Sequence, residues 1–161
     1  MGKHENPSLP LYERDFAVWT MDQAAKLRKR AHNEIDWENV AEEIESLGRS
    51  DRREIQSRMK VLIVHLLKWE FQAGRRSHSW QSSISEQRIW IGGILKDSPS
   101  LRRYPGQVFR KAYDDAVAVA VRETGFARSH FPSEPPFTSN QMLDPGFWPG
   151  EPLSVVDTIR D

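Results

Sequence analysis

The chain has no cysteine. Disulfides, thiolate nucleophiles and cysteine-bound zinc or iron–sulfur centres are therefore excluded. Net charge is missing as well, since 23 basic residues balance 23 acidic ones over 161 positions. That balance removes any global electrostatic drive toward nucleic acid or an anionic membrane and leaves only local patches. Long apolar runs are also absent. The longest, 61–67, is interrupted by His65 and falls far short of the ~20 residues that span a bilayer. The polar, proline-bearing stretch 1–10 lacks the apolar core of a secretory signal. The expectation is a cytoplasmic protein that does not enter a membrane.

Several familiar chemistries lack their motifs. No histidine has a glutamate three residues before it, so the Glu-x-x-His pattern of carboxylate-bridged metal bundles does not occur. There is no His-x-x-x-His pair, no Gly-x-x-x-x-Gly-Lys phosphate loop and no Gly-x-Ser-x-Gly nucleophile elbow. Gly92-Gly93 followed by Lys96 has neither the spacing nor the preceding strand of a phosphate loop. No cofactor, metal site or catalytic residue is expected from these motifs.

What the chain does have is large apolar side chains at helical spacing. Six tryptophans and seven phenylalanines concentrate its hydrophobic area. Thr20 with Gln23 reads as a capping box opening a helix to Arg30. Asp36 caps the next, in which Trp37, Val40, Ala41, Ile44 and Leu47 recur at helical spacing before Gly48 ends or kinks it. Ile55, Met59, Leu62, Ile63, Leu66 and Trp69 form the strongest stripe and predict a helix over about 51–71. Trp80, Ile84, Ile91, Ile94 and Leu95 support a further helix, provided that Gly92 and Gly93 lie within it; close approach of another backbone would account for them. Ser98-Pro99 reads as a stop and a restart. Pro105 leads into a helix to Thr124 with Val108, Ala112, Ala116, Val119 and Ala120 inward, closed by Gly125. Beyond that, six prolines from Pro132 to Pro152 rule out long helices. Thr138 with Gln141 caps a short one, and Phe126, Phe131, Phe137, Phe147 and Trp148 anchor the tail to the bundle.

The predicted fold is all-α: one domain over 1–161, an up-and-down bundle of about four main helices with short extra ones. Its core is expected over 12–149 with peripheral ends at 1–10 and 150–161. A Pro- and aromatic-rich C-terminal segment wraps the bundle.

Several segments together resemble a known family. They are Tyr12-Glu13-Arg14-Asp15-Phe16 with Trp19, Asp36-Trp37-Glu38 running into Ala41-Glu42-Glu43-Ile44-Glu45, Leu47-Gly48, His65-Leu66-Leu67-Lys68-Trp69, Arg76 to Trp80, Asp97-Ser98-Pro99-Ser100-Leu101, and Leu143-Asp144-Pro145 with Phe147-Trp148-Pro149. Their order and spacing over about 12–149 resemble the bacterial family known as domain of unknown function 29. The resemblance implies a helical, bundle-like, bacterial cytoplasmic protein. It supplies no activity and carries no catalytic residues across. Gly92 and Gly93 depart from it, since charged or aliphatic helix formers are expected there.

Charge is balanced in total but arranged in blocks. From Arg49 to Arg88 there are nine basic residues against four acidic ones, after an acidic stretch over 34–45. Three candidate sites follow. Glu38, Glu42 and Glu45 share a helix face that could hold a hard cation or meet a basic partner; the simpler reading is a solvated face pairing with Arg49, Arg52 and Arg53. His65 and Trp69 are helical neighbours, with His65 at the core edge as a ligand, a proton carrier or, more simply, a buried neutral ring. Arg75, Arg76 and His78 lie among Trp69, Phe71 and Trp80, a mixture suited to phosphate or base stacking and equally to a tight inter-helix loop. The favoured function is a small binding or interaction module with a protein partner or as a homodimer. The alternatives are a nucleic-acid-binding, toxin–antitoxin-like accessory using 75–80, which neutral charge disfavours, and a metal-dependent enzyme using Glu42, Glu43 and His65.

Overall fold

A computed structural model describes residues 9–150. The end stretches expected to be peripheral lie almost wholly outside the described residues. Six α-helices and four short 3₁₀ turns make up the regular structure, with no strand among the described residues. The helices are α1 Leu11–Arg14, α2 Phe16–Lys29, α3 Trp37–Phe71, α4 His78–Asp97, α5 Tyr104–Thr124 and α6 Ser139–Leu143. Four are long, as the periodicity predicts, and none of the described helices is long and apolar enough to cross a membrane. Contacts divide the chain into two compact units, the first ending at Ser50 and the second beginning at Asp51.

Within the first unit, α2 starts five residues earlier than the Thr20–Gln23 capping box predicts. Asp15 is the true cap, its Oδ1 accepting the Val18 N–H at 3.0 Å. Thr20 instead donates its hydroxyl to the Ala17 carbonyl at 2.8 Å, while the buried Gln23 accepts the Asp36 N–H at 2.8 Å. The two residues therefore serve different partners. Asp36 caps α3 as expected: its Oδ1 accepts the Asn39 N–H at 3.4 Å, and its Oδ2 accepts the Trp19 indole N–H at 3.2 Å. Among the described residues, the unit's buried hydrophobic core is Trp19, Ile35 and Val40, with Leu11 and Tyr12 packed against it.

Gly48 does not end a helix. The predicted helices over 36–48 and 51–71 are a single one, α3, of 35 residues. A glycine in a helix interior costs only about 1 kcal/mol, which the helix formers around Gly48 and the buried stripe beginning at Ile55 outweigh.

In the second unit, Ile55, Met59, Leu62, Leu66 and Trp69 of α3 are wholly buried against Ile84 and Ile91 of α4 and against Tyr113, Ala116, Val117 and Ala120 of α5. Each large apolar side chain buried this way stabilises by about 1.5–3 kcal/mol, so this stripe outweighs every local signal. Alanines at 112, 116 and 120 let α5 approach closely. Ser77 caps α4 by accepting the Trp80 N–H at 3.2 Å, and Gly125 closes α5 in the left-handed region at φ 73°. The C-terminal segment packs as expected, with Phe131, Phe137 and Met142 buried in the same core. The Thr138–Gln141 capping box that opens α6 is formed.

Gly92 and Gly93 lie inside α4, exposed, and a Cβ built on either meets nothing within 4 Å. The expected close approach of another backbone is absent among the described residues, so these glycines carry a helix-propensity cost without a packing gain there. Gly92→Ala and Gly93→Ala should each raise the free energy of unfolding by ~1 kcal/mol. A rise in urea midpoint at unchanged slope would show it; a fall would mean that a neighbour uses the space.

Candidate functional site

The residues proposed from sequence separate into distinct local roles. Glu42 lies in the first unit, where its Oε1 pairs with Arg49 Nη2 at 2.5 Å, and Arg49 also reaches Glu45 at 3.5 Å. The acidic face is thus partly neutralised on its own helix. Glu43 accepts the Tyr12 hydroxyl at 2.5 Å, and that bond holds the Tyr12 phenol above its usual range. His65 lies in the second unit, half-buried, with its Nδ1–H donating to the Val61 carbonyl at 2.8 Å. Burial pushes its imidazole below the usual histidine range, so it is neutral near pH 7. Among the described residues, no three His, Asp or Glu side chains are placed to hold a metal ion.

The loop candidates divide further. Arg75 is exposed, and His78 is exposed at the first position of α4. Trp80 is half-buried with the Lys68 ammonium 4.7 Å from its ring, and Lys68 also pairs with Glu123 at 3.0 Å. Arg76 is only 7% exposed. Its Nε–H donates to the Trp69 carbonyl at 2.9 Å and its guanidinium lies 5.0 Å from the Trp69 ring. Trp69 is wholly buried and packs against Trp148 at 4.8 Å.

Arg88, in the sequence no more than the end of a basic stretch, is 5% exposed and central to the packing. Its Nε–H donates to the Met142 carbonyl at 2.9 Å, one Nη to the Phe147 carbonyl at 2.8 Å, and its charge sits 5.5 Å from the Trp148 ring. Burial lowers the Arg88 pKa, against an opposing pull from Asp144. Burial also raises the Glu70 carboxyl above its usual range. Trp69 Nε1, Glu70 Oε2 and Arg88 Nη1 are buried without a hydrogen-bond partner among the described residues. Gly150, at φ 83°, is glycine for a reason here: a Cβ would stand 3.1 Å from Arg76 Nη2. Two buried arginines and two tryptophans thus clamp the C-terminal segment. The nearest signal in the sequence is an arginine three residues before Ile91, on the buried side of α4.

One surface has no partner among the described residues. In the first unit, α2 and the start of α3 enclose an apolar groove of about 420 Å³, lined chiefly by Phe16, Trp19, Leu27, Val40, Ile44 and Leu47. The sequence pattern places Trp37, Ile44 and Leu47 on a buried stripe with Val40. Only Val40 is buried; Trp37 is 52%, Ile44 64% and Leu47 68% exposed. Eight of the ten exposed large hydrophobic side chains among the described residues belong to this unit. By contrast, a cleft of about 220 Å³ in the second unit, lined by Arg53, Gln56, Lys60, Lys111 and Asp115 among others, is polar.

A family model described as domain of unknown function DUF29 matches residues 11–148. The chain belongs to that family. No curated protein and no solved structure gives a match. The DUF29 match takes in both units and the C-terminal clamp, so the groove and the arginine–tryptophan packing both fall inside the family domain. Membership assigns no reaction to either.

Arg88→Ala should cost about 2–4 kcal/mol, because two charge-assisted bonds to buried carbonyls are lost together with packing. Chemical unfolding measures that loss, and proteolysis within 131–148 should quicken. A variant as stable and as resistant as the parent would mean that the clamp is idle.

Proposed function

We propose that this protein is a small helical interaction module, not an enzyme, and that it receives an apolar helix face of another protein in the groove of its first unit. The observation that carries this reading is the concentration of exposed apolar side chains on α2 and early α3. Monomer surfaces scatter such residues singly, and a contiguous set beside a groove marks an interaction site. The geometry suits helix docking. Phe16, Thr20, Ala24 and Leu27 follow one another along α2, and Val40, Ile44 and Leu47 follow one another along α3, so two ridges flank a channel into which a third can pack. The family resemblance supports a bacterial, cytoplasmic setting.

Thermodynamics supports the same reading. A unit with three buried hydrophobic residues among those described gains little from that core, and segments near 40 residues commonly rely on further burial, oligomerisation included. Covering Ile44 and Leu47 adds a few kcal/mol by transfer alone. The loop over 75–80 offers less to a ligand, since Arg76 and Trp69 are engaged inside the second unit.

Site-specific photocrosslinking in bacterial cells tests the reading. A photoreactive residue at Ile44 or Leu47 should yield discrete protein adducts, whereas one at Ala118, exposed on α5, should yield none. Absence of adducts at both groove positions would refute docking.

A further inference from the structure

We propose that the polar cleft between α3 and α5 in the second unit binds a phosphate group, as free phosphate or as a small phosphomonoester. The site is independent of the docking groove in the first unit.

Two cross-links set its geometry. The Gln56 amide donates to the Tyr104 hydroxyl at 2.7 Å, and Lys68 pairs with Glu123 at 3.0 Å. Helices α3 and α5 therefore run side by side in the same direction. The cleft of about 220 Å³ lies between them. Arg53, Gln56, Ser57 and Lys60 line it from α3 at i, i+3, i+4 and i+7, and Lys111 and Asp115 line it from α5. Val108 and the buried Ala112 complete the lining, the small alanine leaving room. A volume below the ~300–1,000 Å³ of a drug-sized pocket suits one small molecule.

Charge selects the ligand. Three cations stand against one carboxylate in the cleft, an excess of two positive charges. Other cations on these helices are neutralised by acids nearby: Arg58 by Glu54, Arg110 by Asp114 and Glu134, and Lys111 by Asp115. Arg53 and Lys60 differ. The positions three and four away are Arg49, Ser50, Gln56 and Ser57 for Arg53, and Gln56, Ser57, Ile63 and Val64 for Lys60. No acid stands within helical reach of either. Neither has an ion-pair partner among the described residues. Both are open to an anion in the cleft.

The donors suit phosphate. An arginine fork takes two oxygens of one phosphate, and a lysine adds a compact point charge. Arg53 and Lys60 start about 10 Å apart along the helix, close enough for long side chains to grip one group from both ends. Ser57 lies between them, its hydroxyl without a hydrogen-bond partner among the described residues. A phosphomonoester carries about −1.5 to −2 charges at neutral pH, which matches the excess; a single carboxylate would leave one charge unmatched. The Lys111–Asp115 pair is exposed on both sides and so worth little, which leaves Lys111 free to turn toward the anion. At the Tyr104 end, Arg52 lies 6.0 Å from the ring and Arg102 and Arg103 are exposed, adding positive potential at the mouth.

Titration of the isotope-labelled full chain with inorganic phosphate and with glycerol phosphate, followed by amide chemical shifts, tests the site. Acetate at matched ionic strength is the control. Both phosphate probes should bind at about millimolar concentration, shifting amides within 53–60 and 108–115 and leaving those of 75–80 in place. Arg53→Gln/Lys60→Gln should weaken binding by ~10-fold or more and keep the parent's helical circular dichroism, because both side chains are exposed. Tighter binding of the ester assigns a phosphomonoester, and equal binding assigns free phosphate. The proposal is overturned by no saturable shift with either probe, by the same shifts with acetate, or by shifts centred elsewhere. A double variant that binds like the parent would overturn it too. The shift map of the parent needs no variant and tests the site by itself.

Discussion

The fold depends first on one stripe. Ile55, Met59, Leu62, Leu66 and Trp69 lie along one face of α3, and all are wholly buried. Their burial fixes where α4 and α5 pack, and it brings Trp69 against Trp148. From that contact the C-terminal segment acquires its anchor. Arg76 and Arg88, placed on either side, turn their guanidinium groups inward to backbone carbonyls and tryptophan faces. A proline-rich segment with no long helix is thereby held by charge-assisted bonds in place of a helical face. Phe131, Phe137 and Met142 then fill the remaining core.

The same helix meets a different environment at its start. Trp37, Ile44 and Leu47 repeat the spacing of the buried stripe, yet all three face solvent. Local bonds shape this region: the Asp15 and Asp36 caps, Gln23 bridging to Asp36, and Tyr12 to Glu43. They define the helices without covering the outer ridges. The early face of this amphipathic helix is left uncovered among the described residues, and that is the face the proposed docking uses.

Much of this was legible in the sequence. The four long helices, the buried stripe, the Asp36 cap and the Thr138 capping box follow from periodicity and capping chemistry, because those signals are local. Gly48 misleads, since a helix stop and a tolerated helix interior look alike until the packing on both sides is known. Thr20 and Gln23 mislead for a related reason: their side chains satisfy Ala17 and Asp36, the latter a partner thirteen residues away. Exposure of Ile44 and Leu47 was not legible either. Spacing tells which residues share a face and not whether anything covers it. From sequence alone Arg76 suits a ligand and an inter-helix loop equally; its partners, like those of Arg88, are carbonyls and rings that come near only after folding. Glu42 and His65, which looked combinable, belong to separate units and have separate local partners.

Hydrogen–deuterium exchange along α3 in dilute solution tests the account most directly. Amides of 59–69 should exchange only through global unfolding, whereas those of 38–47 should exchange orders of magnitude faster, since only the later half of the helix is sealed on its apolar side. Uniform protection from one end of α3 to the other would contradict it, because the early ridge would then be covered within a single chain.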